Sequence, residues 1–404
     1  MNTFSVFRSP KTCFYGNHSF EKLGSITVQY GKNALIISDR VMKNLGYIEK
    51  AQHLISECGG KSSIYLGVAS EPTDIYVQEA LHQLQTEKCD VVIALGGGSC
   101  IDTAKSVAVL ATNGGYIGDY MGGKKIAVHP PVPLIAIPTT AGTGSEATEV
   151  TIITNTKNDV KMMIKQPAFM PEAAIVDPVL SYSSPKEITA ATGIDALSHA
   201  LEAYLSRKAQ PMTDILALSS MNHILPNIRA VYEDGSNCEA REAMSFGSLQ
   251  GGMAFSNASV CLVHGMSRPI GALFHVPHGI SNAMLLPAVL EFSKDYCTSR
   301  LGDVGRIFSK EKMSDSEAAQ LAIDEIKALC RDLNIPNLKG WGIDTQAFLQ
   351  AIPKMASDAL ESGSPGHNPR VPSMDEIAEL YRYSYTCSFQ PVKQTAGGKN
   401  DENN

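Results

Sequence analysis

The sequence predicts two architectures in succession: an α/β region with a parallel sheet over residues 1–182, and an all-helical region over residues 183–386. The first prediction rests on short apolar runs that alternate with helical patterns, as in a parallel sheet covered by helices on both faces. The second rests on helical spacing after residue 183, where strand-like runs are few. Residues 387–404 are polar and lack periodicity, so we expect a disordered tail there.

Four apolar segments are the predicted strands of the α/β region. In chain order they are residues 33–39, 61–68, 90–97 and 132–140. The intervals between them carry helical spacing, at residues 43–60, 73–89 and 100–112. Thr73 or Asp74 is the expected N-cap of the second of these helices. Because a helix separates each strand from the next, we expect the strands to be parallel.

Composition limits the class of protein. With 404 residues, 44% of them hydrophobic and 19% charged, the chain is long enough for two or three globular domains. A net charge of −7 without a long basic run argues against nucleic-acid binding, and no apolar stretch reaches the length of a membrane span. The nine cysteines are odd in number and form no CxxC pair, which favours free thiols in a reducing cytoplasm.

A glycine-rich turn joins the third predicted strand to the next helix. Gly96, Gly97 and Gly98 let a ligand approach the backbone, and the following helix N-terminus offers free N–H groups to a phosphate. A plain strand-to-helix turn is the alternative for any single glycine triplet. However, residues 137–146 form a second loop rich in Gly, Ser and Thr after the next strand. Two such loops at strand carboxyl ends are typical of nucleotide sites in open α/β sheets.

Asp39 ends the first predicted strand and bears on the choice of cofactor. A carboxylate at this place accepts hydrogen bonds from a ribose 2′-hydroxyl and repels a 2′-phosphate, which predicts NAD rather than NADP. The alternative for Asp39 is the N-cap of the following helix.

Histidine and aspartate residues in the helical region have the spacing of a metal site. Asp195 and His199 are four residues apart, so they share one face of a helix. His264 and His278 lie on two further helical segments. Three imidazoles and one carboxylate suit Fe²⁺ or Zn²⁺ better than Ca²⁺ or Mg²⁺. Chance spacing of surface or core residues is the alternative.

Taken together, these segments resemble the iron-containing (group III) alcohol dehydrogenases. The matching stretches occur in family order across residues 1–385 and read GGGSCIDTAK, PTTAGTGSE, GIDALSHALEAY, GMAFSNASVCLVHGMSRPIGALFHVPHG and NPR. The resemblance implies a Rossmann-like dinucleotide-binding domain and an all-α metal-binding domain, with the active site in the cleft between them. It also implies a set of site residues: metal ligands Asp195, His199, His264 and His278, cofactor contacts Gly97, Gly98, Ser99, Asp102, Thr139, Thr140 and Lys161, and a substrate-pocket residue, Phe255.

Two positions depart from the family pattern. Several members carry a second histidine four residues after His264, where this chain has Arg268. One helical turn from a ligand, an arginine would face the same cavity, and its guanidinium suits a bidentate grip on a substrate anion. An ion pair with a carboxylate or a contact with a cofactor phosphate are the alternatives. Glu71 replaces the asparagine of the common NPT stretch, with no assigned consequence.

His275 precedes His278 by three residues and is the remaining histidine of this segment. We expect it to lie beside the metal and to relay the substrate hydroxyl proton to solvent. A supporting contact to a ligand or to the cofactor is an equal alternative.

The expected function is therefore an NAD(H)-dependent oxidoreductase, with Fe²⁺ or Zn²⁺, that interconverts a small primary alcohol and its aldehyde. The aldehyde is expected to bear an anionic tail, as in sulfoacetaldehyde or succinic semialdehyde, held by Arg268. A plain short-chain alcohol dehydrogenase and a dehydroquinate-synthase-like lyase are the enzyme alternatives, and a metal-independent nucleotide-binding protein is the third. The apolar residues 251–263 fit a small, slim substrate. The resemblance also implies a homodimer or higher homo-oligomer.

Overall fold

The computed structural model describes residues 4–387 and 389, so almost all of the predicted tail, 387–404, lies outside the described residues.

The strands are β1 (Thr12–Tyr15), β2 (Asn33–Ile37), β3 (Lys61–Tyr65), β4 (Val91–Gly96), β5 (Leu134–Pro138), β6 (Val150–Asn155), β7 (Val160–Lys165) and β8 (Ala173–Val176). The helices of the first half are α1 (Leu23–Tyr30), α2 (Arg40–Asn44), α3 (Tyr47–Glu57), α4 (Asp74–Thr86) and α5 (Gly98–Asn113). Those of the second half are α6 (Lys186–Leu205), α7 (Pro211–Glu233), α8 (Cys238–Asn257), α9 (Leu262–Phe274), α10 (His278–Ser293), α11 (Thr298–Phe308), α12 (Asp315–Asp332), α13 (Thr345–Glu361) and α14 (Met374–Thr386).

A six-stranded parallel sheet forms the centre of the first half, in the order β1-β8-β5-β4-β2-β3. Every residue of β4 is buried, and its side chains alternate between two cores. Val92 and Ala94 belong to one core, while Val91, Ile93 and Leu95 belong to the other. This alternation places helices on both faces of the sheet and confirms the predicted α/β class.

Two features of the sheet region were missing from the sequence prediction. The strands β1 and β8 have only four residues each and pair with one another at one end of the sheet. The hairpin β6–β7 is antiparallel and separate from the main sheet. Its carboxyl-terminal strand carries Lys161 and Lys165 toward the second half of the molecule. The expected N-cap of α4 is Thr73, whose side chain accepts from the Tyr76 N–H at 3.3 Å.

The second half is helical from α6 to α14, as predicted, with one large hydrophobic core. Among the described residues, no helix combines the length and the apolarity needed to cross a bilayer.

The two halves touch backbone to backbone at Gly144 and Gly252. Gly144, in the loop after β5, has a left-handed φ of 61°, and Gly252 lies on α8. A Cβ on Gly144 would lie 2.5 Å from the Gly252 Cα, and one on Gly252 would lie 2.6 Å from the Gly144 carbonyl oxygen. Only glycine at both positions therefore permits this approach.

Candidate functional site

Helix α6 presents three ionisable side chains at one end of the open cleft. Asp195, His199 and Glu202 are spaced i, i+4 and i+7, so they lie on one helix face, and all three are buried. Such burial of charged groups is costly unless partners compensate it. The partners come from the helices α9 and α10.

Helix α9 begins over the Glu202 carboxylate and brings His264 with it. The backbone N–H groups of Cys261 and Val263 donate to Glu202 at 2.9 and 2.6 Å, so a carboxylate from α6 caps the helix. The His264 Nδ1 lies 2.6 Å from the same carboxylate. That hydrogen bond fixes the ring and leaves Nε2 directed toward Asp195, 3.7 Å from its Oδ1.

Helix α10 contributes His278 as its first residue. The next residue, Gly279, lies against the Ala191 carbonyl of α6, which a Cβ would overlap. Glycine at this position therefore allows α10 to begin close to α6. As a result, the His278 Nε2 lies 3.8 Å from the Asp195 Oδ1.

Four donor atoms converge at this point. One atom each from Asp195, His199, His264 and His278 lies within 4.8 Å of the other three. Tetrahedral bonds of about 2.1 Å place ligand atoms about 3.4 Å apart, close to the distances of 3.7 and 3.8 Å found here. The His199 Nδ1 contacts the Gly142 carbonyl at 3.3 Å, which leaves its Nε2 for a metal. The donor set fits Fe²⁺ or Zn²⁺.

Asn282, one turn after His278 on α10, supports the same conclusion. Its amide nitrogen lies 2.7 Å from the Asp195 Oδ1, 3.1 Å from the His264 Nε2 and 3.3 Å from the His278 Nε2. The three acceptor atoms thus converge around one hydrogen-bond donor, and the same convergence suits a cation. The Asn282 Oδ1 is buried and has no hydrogen-bond partner in the part of the chain that the structure describes.

The pKa values of Asp195, His199 and His278 are all lowered, but the physical causes differ. Burial works to raise the pKa of Asp195, but His199, His278 and His264 outweigh it and lower that pKa well below its usual range. Burial lowers the pKa of His199 to about 4 and that of His278 to about 3. Asp195 is therefore ionised and these two imidazoles are neutral at pH 7, which are the protonation states that bind metal.

A cavity of about 530 Å³ joins the donor cluster to the glycine-rich turn. The predicted residues that line it are Gly97, Gly98, Ser99, Asp102, Thr140, Lys161, Asp195, His199, Phe255, His264, Arg268 and His278. Gly97 is open to the cavity, since a Cβ there would meet nothing closer than 3.7 Å. Phe255 stacks on the His199 ring, with centroids 4.2 Å apart. The cavity has the volume of a small-molecule site and reaches both halves of the chain.

Three predicted site residues do not line this cavity. Asp39 caps α2, because its Oδ1 accepts from the Met42 N–H at 2.9 Å, as the alternative interpretation expected. The buried Thr139 donates its N–H to the Gly96 carbonyl, which continues the pairing of β4 and β5. His275 ends α9 with a left-handed φ of 54° and is exposed. His275 therefore lies outside the cavity lining of this structure, and its expected proton relay stays a prediction.

Arg268 lines the cavity, as its spacing from His264 predicted. Its Nη1 donates to the Ser364 Oγ at 3.2 Å, and its buried Nε has no hydrogen-bond partner within residues 4–387. Among the described residues, no carboxylate lies within ion-pair distance of it. Burial lowers the Arg268 pKa to about 10, opposed by the charge of Glu202.

Glu71 also gains a partner, an ion pair with Lys161 at the cavity wall. The ion pair is a structural consequence of having Glu71 where the family commonly has asparagine. Lys161 is 14% exposed and Glu71 is 47% exposed.

Sequence reasoning missed Glu202, Asn282 and Ser364. The first two had a signal, because Glu202 follows Asp195 by two helical turns and Asn282 follows His278 by one. Ser364 had none, since it reaches Arg268 from a turn 96 residues further along the chain.

Comparison with known proteins gives consistent matches. The model "Iron-containing alcohol dehydrogenase" matches residues 10–178, and "Fe-containing alcohol dehydrogenase family, C-terminal" matches residues 189–385. The chain is 36% identical to 1,3-propanediol dehydrogenase of Klebsiella pneumoniae, over 93% of this chain and 97% of that protein. A solved 1,3-propanediol oxidoreductase superposes with a TM-score of 0.90 at 35% identity, over 94% and 100% of the two chains. A sulfoacetaldehyde reductase from Bifidobacterium kashiwanohense, in complex with NAD⁺, gives a TM-score of 0.85 at 28% identity, over 96% and 100%.

Proposed function

Because the chain belongs to the iron-containing alcohol dehydrogenase family, we propose that it interconverts a small primary alcohol and an aldehyde that carries an anionic tail. The coarser activity, NAD-dependent oxidoreduction of an alcohol or aldehyde, follows from the family and its relatives. The anionic tail is our addition, with sulfoacetaldehyde and succinic semialdehyde as the first candidates.

The residues of the cavity have separate tasks in this reaction. Held by Asp195, His199, His264 and His278, a divalent metal, Fe²⁺ in our proposal and Zn²⁺ as the alternative, supplies Lewis-acid polarisation of the substrate oxygen. The nicotinamide carries the hydride. The backbone at Gly97 and the start of α5 offers N–H groups to the cofactor phosphates. Phe255 covers one ligand and keeps water from that side of the site.

One observation supports the proposal that the substrate has an anionic tail. Arg268 is a largely desolvated cation without a carboxylate partner among the described residues. An isolated guanidinium in such surroundings is unfavourable unless an anion joins it. A bound substrate can supply that anion. The sulfoacetaldehyde reductase among the structural relatives is consistent with this substrate class.

A plain short-chain alcohol is the second candidate. Phe255 and Val260 give the cavity apolar wall next to the donor cluster, and the 1,3-propanediol dehydrogenases are similar over nearly the whole chain. The lyase alternative has no such support among these relatives.

Substituting Arg268 tests the proposal. Arg268→Ala should lower kcat/KM for succinic semialdehyde or sulfoacetaldehyde at least about tenfold more than for butanal or propanal, because a charge-assisted contact contributes ~1.5–3 kcal/mol. Arg268→Lys is the matched control that keeps the charge without the bidentate geometry. Equal losses for charged and neutral aldehydes would favour the plain alcohol dehydrogenase.

We further propose NAD rather than NADP as the cofactor, on the carboxylate of Asp39 at the end of β2. Asp39→Gly should narrow the preference for NADH over NADPH. If wild type uses both cofactors equally, Asp39 serves α2 alone. A cytoplasmic homodimer or higher homo-oligomer completes the proposal, and nine unpaired cysteines are consistent with that compartment.

A further inference from the structure

Ser364 lies beside Arg268 in the cavity wall. Like Arg268, it has a hydrogen-bond donor that no group of the described residues uses. The serine is 3% exposed, and its Oγ accepts from the Arg268 Nη1. Its own hydroxyl hydrogen has no acceptor among the described residues. The neighbouring Ser362 differs, because its hydroxyl already donates to the Ala359 carbonyl at 2.6 Å.

The turn that carries Ser364 is held firmly in place. Gly363 has a left-handed φ of 74°, and Pro365 lies against Gly265 of α9, where a Cβ would approach it to 2.8 Å. The turn therefore sits directly on the helix that carries both His264 and Arg268. A serine fixed in this way offers its hydrogen at a constant place relative to the guanidinium.

We propose that Arg268 and Ser364 together form one oxyanion subsite, in which the guanidinium and the serine hydroxyl donate to different oxygens of a substrate carboxylate or sulfonate. This inference rests on the proposed function and adds a second specificity-determining residue to it. Two unused donors side by side match the two or three oxygens of such a group.

The position of the subsite bears on the length of the substrate. Arg268 follows the ligand His264 by four residues, a rise of roughly 6 Å along α9. Both residues line the same cavity, so a short ω-anionic aldehyde such as succinic semialdehyde is the substrate class to test first.

Other cations of the cavity are poorer candidates for the same anion. Lys161 pairs with Glu71, and Lys165 lies 3.6 Å from Glu149. Lys208 is exposed, so solvent weakens its attraction for a carboxylate.

The experiment compares Ser364→Ala with wild type, using succinic semialdehyde and butanal as an anionic and neutral pair of equal length. Ser364→Ala should raise KM for the anionic aldehyde roughly tenfold, with little change in kcat and less than about threefold change for butanal. Ser364→Thr retains the hydroxyl and should retain the preference. Lys208→Gln is the control at the exposed side of the cavity and should change neither ratio by more than about threefold.

The outcomes separate this inference from the proposed function. If Arg268→Ala is selective for the anionic aldehyde but Ser364→Ala costs both aldehydes equally, the serine subsite is wrong and the anionic substrate stands. If neither variant is selective, the anionic substrate itself is wrong. A selective loss in Lys208→Gln alone would place the anion at the outer wall and overturn the Arg268–Ser364 subsite. If Ser364→Ala does not fold, loss of selectivity in the folded Ser364→Thr protein would count equally against the inference.

Discussion

Lys105 in the α/β half and Arg268 in the helical half are both desolvated cations, but their surroundings differ. Lys105 is fully buried, and its Nζ donates to the Thr148 Oγ1 at 2.8 Å and the Val150 carbonyl at 2.7 Å. Burial lowers the Lys105 pKa to about 8, opposed by Asp102 and two glutamates. Arg268 has one hydrogen bond and an unpartnered Nε at a cavity wall.

The difference separates structural charges from ligand-binding ones. The protein itself uses the donors of Lys105, so that cation belongs to the packing between α5 and β6. The N–H groups of Arg268 that the protein does not use are left for a ligand in the cavity. The ligating atoms of the metal cluster are likewise left for a metal ion. We therefore expect substitutions around Lys105 to change stability, and substitutions around the cavity to change activity.

The largest effect is expected at the metal cluster. His264→Ala or His278→Ala should remove most bound metal and lower turnover by about 10³-fold or more, because Lewis-acid stabilisation of the transition state amounts to several kcal/mol. NADH binding, measured by fluorescence titration, should persist. Full metal content in both variants would break the assignment of these two residues.

The next effect is expected at Lys105. Lys105→Met leaves Asp102 and Glu146 without their buried cation, so the free energy of unfolding should fall by ~4 kcal/mol at pH 7. The measurement is urea unfolding followed by circular dichroism, and an unaltered midpoint would contradict a structural role.

The pH dependence of stability tests the buried charges around Lys105 in a second way. Burial raises the pKa of Glu146 to about 7 in the folded protein, from a usual value of 4.5. The folded state therefore binds more protons than the unfolded state between pH 4.5 and 7. As the pH rises through that window, deprotonation of the buried Glu146 lowers the free energy of unfolding. Glu146→Gln should be more stable than wild type at pH 8 by about 3 kcal/mol, with the gap closing toward pH 4.5. The measurement is urea unfolding of both proteins between pH 4.5 and 8. A difference in stability that does not change with pH would contradict the raised pKa of Glu146.

The smallest effect is expected for the stability of an Arg268 variant. Arg268→Met removes an uncompensated cation, so the free energy of unfolding should stay the same or rise by ~1 kcal/mol. A loss of several kcal/mol in thermal or urea unfolding would mean that Arg268 is structural, like Lys105.

The sequence predicted what depends on local spacing. The strands β2, β4 and β5 are runs of mainly apolar residues between helices, and Asp195 and His199 share a helix face whatever surrounds them. The family resemblance added the roles of individual residues, among them the cofactor contact Lys161 and the substrate-pocket residue Phe255. In contrast, β1 and β8 are too short for a periodic pattern. They are held by pairing with each other and, in the case of β8, with β5.

Contacts between distant segments could not be predicted. Ser364 meets Arg268 only because a turn near residue 364 packs on α9, and Glu71 meets Lys161 across 90 positions of the chain. The place of His275 also depends on more than spacing. It is close to His278 in sequence, but α9 ends before His275 and α10 begins at His278, so no single helix relates the two side chains.

The contact between Gly144 and Gly252 has a consequence for how this enzyme can diverge. At most contacts between two halves of a protein, a larger side chain on one side is accommodated by a smaller one on the other. Here neither partner has a side chain to shrink, so no second substitution can restore the fit. The halves of two different relatives should consequently be exchangeable at this point wherever both parents carry the two glycines, and a mutational scan should find both positions intolerant of every other residue.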